Sequence, residues 1–596
     1  MSEKPEYLYE DIQFGQKGSP RKPKFQGYNQ HSIYIPMKDG VKLAADIVLP
    51  DNLPENERIP TLLYRTRYWR ETEHRENPLQ PDPTLQFFTS YGYAIIKVDV
   101  RGTGASFGSV LHEWQQQDID DTYELVEWII SQVWSNGKVG SYGVSYPGTT
   151  AELLAATKHP AVTSIWATYF ELDGYTDIAF PGGVPSGFIQ AWSDMVHALD
   201  MNQYPVEDAD IIGVKPVDED IDRAMLKAAI EDHQNNNPVA TLMENGIYKD
   251  GIMGDTGLTT ESMMVYSHLK EIEESGAPVD IWGSWMDANT PDTVIRHFST
   301  LKNRQRGVIN AWSHGGGSFH DPFNPDETPL EIPREIQMFE IMRYLDWHFH
   351  EIETGLPEKI LFYYTLGEGK WKSTTTWPPE NTTIKKYYLD ANHTLSDEAP
   401  GAENGADEYQ IDFDVTTGKQ NRWWTEMGGG PIIYSDRAKT DEKLLVYDSA
   451  PVEDDLEITG YPEVTLYVTS TETDGAFFVY LEDIDEKGKV TYITEGMLRA
   501  LHRKISEEQP PYTMFGPYHS YKTRDGALMT PGEVSELRFA LIPISVLIKK
   551  GHRIRIAIAG ADKDTFMRVP AKGDATISVL HNKKFASSID LPVIKV

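Results

Sequence analysis

The sequence predicts an α/β fold: a mostly parallel, doubly wound sheet with a helical insertion, followed by a C-terminal β jelly roll or sandwich. In residues 31–354, runs typical of buried strands alternate with helical runs over short connections, an order that favours a parallel sheet covered by helices. Residues 355–596 instead show many short alternating strands separated by Gly, Pro and Asp turns, as a jelly roll or sandwich requires. The 596 residues are enough for several domains of about 150 residues each.

The chain opens with a polar arm, residues 1–30, whose Gly-Ser-Pro-Arg-Lys-Pro-Lys run favours an extended conformation. Residues 32–49 predict two strands around a turn at Asp39-Gly40, because Asp-Gly is a strong hairpin-turn pair. We therefore assign residues 31–170 to the first part of the sheet domain.

The pattern changes over residues 171–265, which are rich in turns and helical segments and lack a clear strand signal. A helical insertion at this point lies over the edge of the sheet where ligands bind, so we predict a helical cap. The sheet resumes in residues 266–354, with strand-like runs at 279–283 and 307–312. We assign the strand-like run 359–364 to the C-terminal domain.

Composition limits the partners of the protein. The chain has 91 acidic and 55 basic residues and a formal net charge of -36, which disfavours nucleic acid and anionic membranes because both would repel such a surface. It has no cysteine, which excludes disulfides and thiolate catalysis. We find neither a secretory leader nor a long apolar run, and we expect a soluble, cytoplasmic protein that acts on a small molecule. The sequence leaves a homo-oligomer open.

The stretch around Ser145 carries the strongest chemical signal. A short β-prone run leads into Gly143-Val-Ser-Tyr-Pro-Gly148 and then into a helix-prone segment. A serine at a sharp strand-to-helix turn has its hydroxyl exposed above the sheet. The second glycine falls one residue later than in the usual Gly-x-Ser-x-Gly pattern, and Pro147 is compatible with the first turn of a helix. We predict that Ser145 is a nucleophile.

A serine nucleophile needs a histidine to take its proton and a carboxylate to orient that histidine. In this kind of sheet the three residues follow in the order Ser, Asp, His. Asp287 comes just after the strand-like run 279–283, and His314 just after the run 307–312. These two complete the predicted triad, and His320 is the alternative base.

The oxyanion of a tetrahedral intermediate needs two hydrogen-bond donors. The backbone N–H of Tyr146, directly after the nucleophile, is the first expected donor. The second should come from the loop after the early strand at 61–64, where we favour the hydroxyl of Tyr68. Arg65 and Arg67 are competing donors in the same loop.

Three motifs resemble signatures of other functional sites, and we assign none of them. The glycines in residues 101–108 lack the spacing of a dinucleotide loop. The His-Gly-Gly-Gly run at 314–317 follows the nucleophile, whereas the lipase oxyanion motif precedes it. Residues 483–488 begin like a calcium loop, but Thr494 stands where the bidentate glutamate is needed. We expect no required cofactor and no metal.

The chain resembles the cocaine esterase/X-Pro dipeptidyl peptidase family of serine hydrolases from about residue 32 to its end. The resemblance rests on the following motifs: Met37-Lys-Asp-Gly-Val-Lys-Leu-Ala-Ala-Asp, Val98-Asp-Val-Arg-Gly-Thr-Gly-Ala-Ser-Phe-Gly108, Gly143-Val-Ser-Tyr-Pro-Gly148, Trp285-Met-Asp287, Trp312-Ser-His314, Asp455-Leu-Glu-Ile-Thr-Gly460, Glu495-Gly-Met-Leu-Arg499 and Lys550-Gly-His-Arg-Ile-Arg555.

This resemblance implies an α/β-hydrolase domain with an inserted helical cap and a C-terminal jelly roll. It places the family's triad on Ser145, Asp287 and His314 and its oxyanion tyrosine on Tyr68. The aromatic acyl-pocket positions of the family fall near Phe180 and on Trp192. A role for these two in the packed interior of the cap is the alternative.

Departures from the family pattern bear on the substrate. The dipeptidyl peptidases have an additional helical N-terminal domain, whereas only about 30 residues precede the first predicted strand here. The related α-amino-acid ester hydrolases hold the substrate amine with carboxylates, some of them just after the catalytic Asp, where this chain has Ala288-Asn289-Thr290. Asp173 and Asp177 could supply part of such a cluster.

We therefore expect a cofactor-independent serine hydrolase that cleaves carboxylic esters, or activated amides, of small molecules through an acyl-enzyme. X-Pro dipeptidyl peptidase activity and α-amino-acid ester hydrolase or acylase activity are the alternatives within the family. A carbohydrate- or protein-binding jelly-roll protein with a vestigial hydrolase site is the alternative of another class.

Overall fold

The computed structural model of the protein describes residues 14–19, 21–75, 82–205, 210–244, 246–254, 256–324 and 330–595. Up to residue 374 the strands are β1 Tyr28–Pro36, β2 Lys42–Pro50, β3 Ile59–Thr66, β4 Thr72–His74, β5 Ala94–Asp99, β6 Ser135–Val144, β7 Val162–Thr168, β8 Ile211–Val214, β9 Val279–Ser284, β10 Gln305–Asn310, β11 Lys359–Thr365 and β12 Lys370–Thr374. The helices are α1 Pro83–Ser90, α2 Gln116–Ser131, α3 Tyr146–Ala156, α4 Phe188–Asp200, α5 Ala224–His233, α6 Val239–Met243, α7 Leu269–Ser275, α8 Thr290–Thr300, α9 Arg334–Phe349 and α10 Ala438–Asp441. The remaining strands are β13 Thr382–Asp390, β14 Thr394–Ser396, β15 Ala406–Gln410, β16 Leu445–Ser449, β17 Leu456–Gly460, β18 Glu463–Ser470, β19 Ala476–Ile484, β20 Val490–Arg499, β21 Ser535–Ala540, β22 Ile544–Ile548, β23 Arg553–Ala559, β24 Thr576–Leu580 and β25 Ser588–Lys595.

The first sheet has ten strands in the order β1-β2-β5-β3-β6-β7-β9-β10-β11-β12. From β5 to β11 each neighbouring pair runs parallel, while β1, β2 and β12 are antiparallel edge additions. Strands β6, β9 and β10 are buried along most or all of their length, as expected when helices cover both faces. The predicted parallel, doubly wound sheet is confirmed.

The chain enters this sheet through a hairpin and an N-terminal arm. Strands β1 and β2 pair antiparallel from Tyr28 to Pro50 across the predicted Asp39-Gly40 turn. The described part of the arm lies against α9, where the Gly15 N–H donates to Glu340 Oε1 at 2.9 Å and Arg21 pairs with Asp346 at 2.5 Å. Residues 1–13 of the predicted arm lie outside the described residues.

The cap segment, residues 171–265, is mainly helical in its described part and contains α4, α5 and α6. One strand was not expected from its sequence: β8 pairs antiparallel with β4 to form a two-stranded sheet. Both strands are short, and Gly213 in β8 has a φ of 158°. The alternation of apolar and polar residues that predicts a strand is therefore too brief to detect in the sequence.

The C-terminal domain is a β domain built mainly from antiparallel strand pairs that link β13 to β25. The sequence had placed the strand-like run 359–364 in this domain, but the structure places β11 in the first sheet, parallel to β10. An alternating strand pattern specifies which faces are buried but not which sheet the strand joins. The first sheet therefore extends to β12, beyond the expected boundary at residue 354.

The two domains share one hydrophobic core. Buried residues of the first sheet and of the β domain belong to the same contiguous cluster. Directly after β11, the Leu366 N–H donates to Ser545 O at 2.9 Å, and the Leu547 N–H donates to Leu366 O at 2.9 Å. The end of β11 thus continues into backbone pairing with β22. None of the described helices combines the length and the apolar run needed to cross a bilayer.

Candidate active site

Ser145 sits at a strained turn between β6 and α3. Its backbone has φ 65° and ψ -134°, a conformation that is costly for a residue with a side chain and that clusters at functional sites. A Cβ on Gly143 would lie 2.0 Å from Pro147 O, and one on Gly148 would lie 2.8 Å from Thr168 O. Both positions therefore require glycine, which explains the shifted Gly-x-Ser-x-x-Gly pattern.

The carboxyl ends of β9 and β10 bring Asp287 and His314 together. His314 Nδ1 donates to Asp287 Oδ2 at 2.9 Å and lies 3.1 Å from Oδ1. The side chain of Asp287 is fully buried and that of His314 is 8% exposed. Among the described groups, His314 Nε2 has no hydrogen-bond partner, so this nitrogen is available to accept a proton.

His314 and Ser145 belong to the same edge of the sheet. A Cβ on Gly315 would lie 3.6 Å from Val144 Cγ1, so the residue after His314 lies against the residue before Ser145. The ring of Tyr169 is 6.0 Å from the ring of His314. Tyr169 follows Thr168, whose carbonyl accepts the N–H of Ser145 at 3.0 Å. The loop that carries His314 therefore lies beside the turn that carries Ser145.

A segment of the β domain, residues 421–430, contacts both loops that carry Asp287 and His314; we call it the clasp segment. The Ala288 N–H donates to Arg422 O at 2.7 Å, and Arg422 Nε donates to Ala288 O at 2.9 Å. The His314 N–H donates to Thr425 Oγ1 at 3.2 Å. Glu426 Oε1 lies 3.9 Å from His314 Nδ1. The second domain therefore contacts the loops of the first that carry Asp287 and His314.

Tyr68 is placed to donate its hydroxyl proton. Trp192 Nε1 donates to Tyr68 Oη at 2.8 Å, and since the oxygen is thus an acceptor, its own proton is free for another group. The rings of Tyr68 and Tyr146 are 5.8 Å apart. Tyr146 begins α3, so its N–H has no carbonyl partner one turn earlier in the helix.

The two competing arginines have other partners. Arg65 donates to Asp118 O at 2.9 Å and to Thr150 O at 3.0 Å. Arg67 pairs with Glu113 and, at 3.0 Å, with Asp200. Both guanidinium groups are buried in these contacts. Because both arginines already donate to other groups, Tyr68 is the best placed of the three candidate donors.

A largely apolar pocket opens beside Ser145 between the sheet edge and the cap. Glu171 and Glu426 supply its acidic groups. The residues that line it are Tyr68, Trp114, Ser145, Tyr146, Thr149, Glu171, Gly174, Ile178, Ala179, Phe188, Ile189, Trp192, Val239, Met263, Met264, Val265 and Glu426. Such a cavity suits an apolar group of modest size held next to the nucleophile.

Of the two predicted pocket aromatics, Trp192 lines this pocket and Phe180 is not one of the described residues that do. Phe180 is buried and stacks on Tyr175 with ring centroids 4.9 Å apart. A short helical turn, Pro181–Gly183, follows it in the chain. Its neighbour Phe188, on the next helix, lines the pocket instead.

The aspartates suggested for amine binding serve as buried ion-pair partners. Asp173 pairs with Lys249 and accepts the Tyr512 hydroxyl at 2.9 Å. Asp177 pairs with Arg296 at 2.8 Å. Neither lines the pocket beside Ser145 among the described residues, so that pocket gives the suggestion no support.

The alternative base His320 makes hydrogen bonds to groups other than Asp287. Its Nε2 contacts Ser318 Oγ at 2.7 Å, and its N–H donates to Ala311 O at 2.7 Å. Burial lowers the pKa of His320. His314, which makes the hydrogen bonds to Asp287, is the residue with the arrangement of a general base.

Electrostatics at the site favour a charged imidazole. Burial lowers the pKa of His314, but the charge of Asp287, its hydrogen bond and the charge of Glu171 outweigh burial, so the pKa is raised overall. Burial raises the pKa of Glu171 to about 7, although His314 and a hydrogen bond from Glu426 oppose the rise. Burial and the charges of Glu171 and Asp287 hold the pKa of Glu426 well above its usual range.

One group of side chains in the described residues has the composition of a metal site. The ligand-capable atoms of Asp287, His314 and Glu426 lie within 4.8 Å of one another. The hydrogen bonds between Asp287 and His314 Nδ1 already use those two residues. We therefore interpret the group as a base and its acidic neighbours.

Sequence reasoning missed Glu171, Glu426 and Trp114. Glu171 follows the carboxyl end of β7, and the rule that catalytic groups gather at strand ends could have singled it out. Glu426 lies in a short helical turn of the β domain, Trp424–Met427, more than 100 residues from His314 in the sequence. No local motif marks a residue that reaches the site across a domain boundary.

Comparisons with known proteins relate the chain to one family. The family profile of the X-Pro dipeptidyl-peptidases (S15 family) matches residues 39–316, and that of the X-Pro dipeptidyl-peptidase C-terminal non-catalytic domain matches residues 354–588. A Mycobacterium bovis protein that carries the provisional name serine esterase is 38% identical over 96% of each chain. The cocaine esterase of Rhodococcus is 24% identical over 89% of this chain and 90% of its own.

Solved structures show the same fold. An α-amino-acid ester hydrolase superposes with a TM-score of 0.69 and 19% identity, covering 98% of this chain and 99% of the other. A CocE/NonD family hydrolase of Staphylococcus aureus superposes with a TM-score of 0.70 and 18% identity, covering 95% and 93%.

The α/β-hydrolase sheet and the strained serine at its edge define the class of protein: it is a serine hydrolase. Within that class, the two matching profiles and the 38% identical relative identify the family. The chain belongs to the S15 family of X-Pro dipeptidyl-peptidases and related esterases, and the resemblance inferred from its motifs is confirmed.

Proposed function

We propose that the protein hydrolyses carboxylic esters of small molecules through an acyl-enzyme on Ser145, with His314 as general base and Asp287 as its orienting acid. The observation that carries the proposal is the hydrogen bond between His314 Nδ1 and Asp287, which fixes the tautomer and leaves Nε2 as an acceptor. The apolar pocket beside Ser145 supports a neutral, largely apolar acyl group.

In the first half of the reaction Ser145 Oγ attacks the ester carbonyl carbon while His314 Nε2 takes the hydroxyl proton. The carbonyl oxygen becomes an oxyanion, which the Tyr146 N–H and the Tyr68 hydroxyl stabilise. The tetrahedral intermediate then collapses, the C–O bond to the alcohol breaks, and His314 returns the proton to the leaving oxygen. This leaves an acyl group on Ser145.

Water completes the cycle. His314 takes a proton from the water as its oxygen bonds to the acyl carbon, and the second tetrahedral intermediate expels Ser145 Oγ, which recovers the proton. The products are a carboxylic acid and the free enzyme. Asp287 stabilises the imidazolium that forms in each half.

The direct test is the hydrolysis of p-nitrophenyl acetate and butyrate by the wild type and Ser145→Ala. We expect kcat to fall by about 10⁶-fold, because the nucleophile acts as a unit with its base. Ser141→Ala is the matched control: Ser141 lies in β6 and donates to Ala151 O at 2.7 Å, away from the pocket. Equal rates for the wild type and Ser145→Ala would refute the proposal, and the control should keep its turnover.

A further inference from the structure

The catalytic base has a second carboxyl group beside it, and this one comes from the β domain. Glu426 Oε1 lies 3.9 Å from His314 Nδ1, and the Glu426 side chain is 3% exposed. The ligand-capable atoms of Asp287, His314 and Glu426 all lie within 4.8 Å of one another. The nitrogen that orients the base therefore faces two acids, one from each domain.

The second acid has an unused oxygen. Glu426 Oε1 is buried and has no hydrogen-bond partner among the described groups, whereas Asp287 Oδ2 accepts the Nδ1–H of His314 at 2.9 Å. A buried acceptor without a donor costs about 1–3 kcal/mol, so its presence calls for an explanation. A shift of about 1 Å would bring Glu426 Oε1 to hydrogen-bond distance from Nδ1.

The clasp segment holds Glu426 against the loop that carries the base. On one side of Glu426, the His314 N–H donates to Thr425 Oγ1 at 3.2 Å. On the other side, a Cβ on Gly429 would lie 2.8 Å from His314 O, so the backbone can approach this closely only with glycine. A Cβ on Gly428 or Gly430 would meet nothing within 4 Å. The turn after Glu426 therefore has space for a small shift.

No cation competes with the imidazole for these carboxyl groups in the part of the chain that the structure describes. There, neither Glu426 nor Asp287 forms an ion pair with a lysine or an arginine. Arg422, the cation of the clasp segment, donates to Ala288 O at 2.9 Å instead. Both carboxyl groups are thus available to His314.

We propose that Glu426 is a second positioning residue for His314: a reserve acceptor that takes the Nδ1 hydrogen bond and supports the imidazolium when Asp287 does not hold it. The inference rests on the proposed function, since it requires His314 to be the base. The charge of Asp287 is one of the causes that raise the pKa of Glu426. Loss of that charge therefore favours the ionised form of the reserve acceptor.

The test measures how much activity survives the loss of Asp287 and whether Glu426 carries it. Loss of the acid of a triad costs about 10⁴-fold in kcat when the histidine is left in the wrong tautomer. We expect Asp287→Ala to lose only about 10²-fold on p-nitrophenyl acetate, because the small side chain leaves room for Glu426 to reach Nδ1. Glu426→Gln alone should lose about threefold, because Asp287 keeps the hydrogen bond.

The decisive variant is Asp287→Ala/Glu426→Gln, in which neither acid faces Nδ1. We expect its kcat to fall to about 10⁴-fold below the wild type, far more than the two single losses combined. Asp287→Ala/Glu495→Gln is the matched control and should equal Asp287→Ala. Glu495 is a buried glutamate of the β domain that accepts the Trp423 indole N–H and, among the described residues, does not line the pocket.

Three kinetic results would overturn the proposal. One is a folded Asp287→Ala that already loses about 10⁴-fold, since no reserve acceptor would then be at work. The second is a Glu426→Gln double variant within about threefold of Asp287→Ala. The third is a Glu495→Gln double variant that falls as far as the Glu426→Gln one, since the effect would then not belong to Glu426.

A proton resonance gives a readout that a purely structural role of Glu426 would not move. The Nδ1 proton of a histidine hydrogen-bonded to a carboxylate resonates at low field. We expect this signal to persist in Asp287→Ala and to disappear in Asp287→Ala/Glu426→Gln, and its absence from a folded Asp287→Ala would contradict the proposal. Should Asp287→Ala not fold, Asp287→Asn, which has nearly the same shape, is the second background. Glu426→Gln should cost at least about tenfold there, and no added loss would overturn the proposal.

These outcomes are separate from the test of the proposed function. If Ser145→Ala is inactive while the two double variants behave alike, only the role of Glu426 fails. If Ser145→Ala turns over as fast as the wild type, the triad itself is wrong.

Discussion

At the scale of single residues, the hydroxyl of Tyr68 is oriented by a hydrogen bond from the indole of Trp192. Trp192 Nε1 donates to the Tyr68 oxygen, and burial raises the pKa of this phenol above its ordinary value. The group therefore remains a neutral donor at every pH at which the enzyme is folded and active. Tyr68 lines the same pocket as Ser145, so we expect its proton to reach an oxyanion that forms there.

We expect Tyr68→Phe to lower kcat by about 10²- to 10³-fold with little change in KM. The ring is retained and the lost hydrogen bond strengthens only as charge develops on the carbonyl oxygen. Steady-state kinetics on p-nitrophenyl butyrate, with thermal unfolding as a check on the fold, measures the effect. A folded variant within about fivefold of the wild-type kcat, a difference of about 1 kcal/mol, would exclude this role.

Trp192→Phe is the companion variant. It removes the indole N–H that orients Tyr68 but keeps an aromatic ring in the pocket wall. The tyrosine hydroxyl remains available, so kcat should fall less than in Tyr68→Phe. A larger loss in Trp192→Phe would show that the indole acts mainly through the pocket.

At the scale of structural elements, the clasp segment turns a second domain into part of the active site. Its Thr425 accepts the N–H of His314 at 3.2 Å and donates to Gly430 O at 3.2 Å. Arg422 holds Ala288, whose φ is 32°, a value that few non-glycine residues adopt. The loop that carries Asp287 is therefore strained and held by contacts from the β domain.

We expect Thr425→Val to lower both stability and turnover. Valine has nearly the same shape, but it leaves the His314 N–H without its acceptor, at a cost of about 1–3 kcal/mol. Thr425→Ser keeps the hydroxyl and should restore most of the loss. Chemical denaturation and kcat measured side by side test this, and equal behaviour of the two variants would contradict it.

The same element marks the limit of what the sequence could predict. The positions of Ser145, Asp287 and His314 after strands of the sheet could be predicted from the sequence, because local patterns specify these strand ends. Glu426 and Arg422 reach the site only through packing of the β domain, which no local pattern encodes. Strand β11 illustrates the same limit, since its alternation is compatible with either sheet and pairing with β10 decides the outcome.

At the scale of the whole molecule, the hydrolase sheet and the β domain share backbone pairing and a continuous core. The contacts of Leu366 with β22 and the side-chain hydrogen bond of 3.0 Å between Thr365 and Ser545 join the two sheets. Separating the two domains would expose apolar surface of both to water, at a free-energy cost of about 25 cal/mol per Å². The domains should therefore lose their structure together.

We expect one cooperative unfolding transition in calorimetry, with loss of esterase activity at the same midpoint. Far-ultraviolet circular dichroism and tryptophan fluorescence, recorded on the same sample, should give coincident curves. Two resolved transitions, with the β domain persisting after activity is lost, would contradict the shared core.

The identity of the nucleophile is the central claim, and covalent labelling tests it most directly. The protein is treated with a fluorophosphonate, digested, and analysed by mass spectrometry to locate the adduct, with Ser145→Ala treated in parallel. We predict one adduct per chain, on the peptide that contains Ser145, and none in the variant. An unlabelled wild type, or an adduct on another residue that persists in Ser145→Ala, would contradict the account.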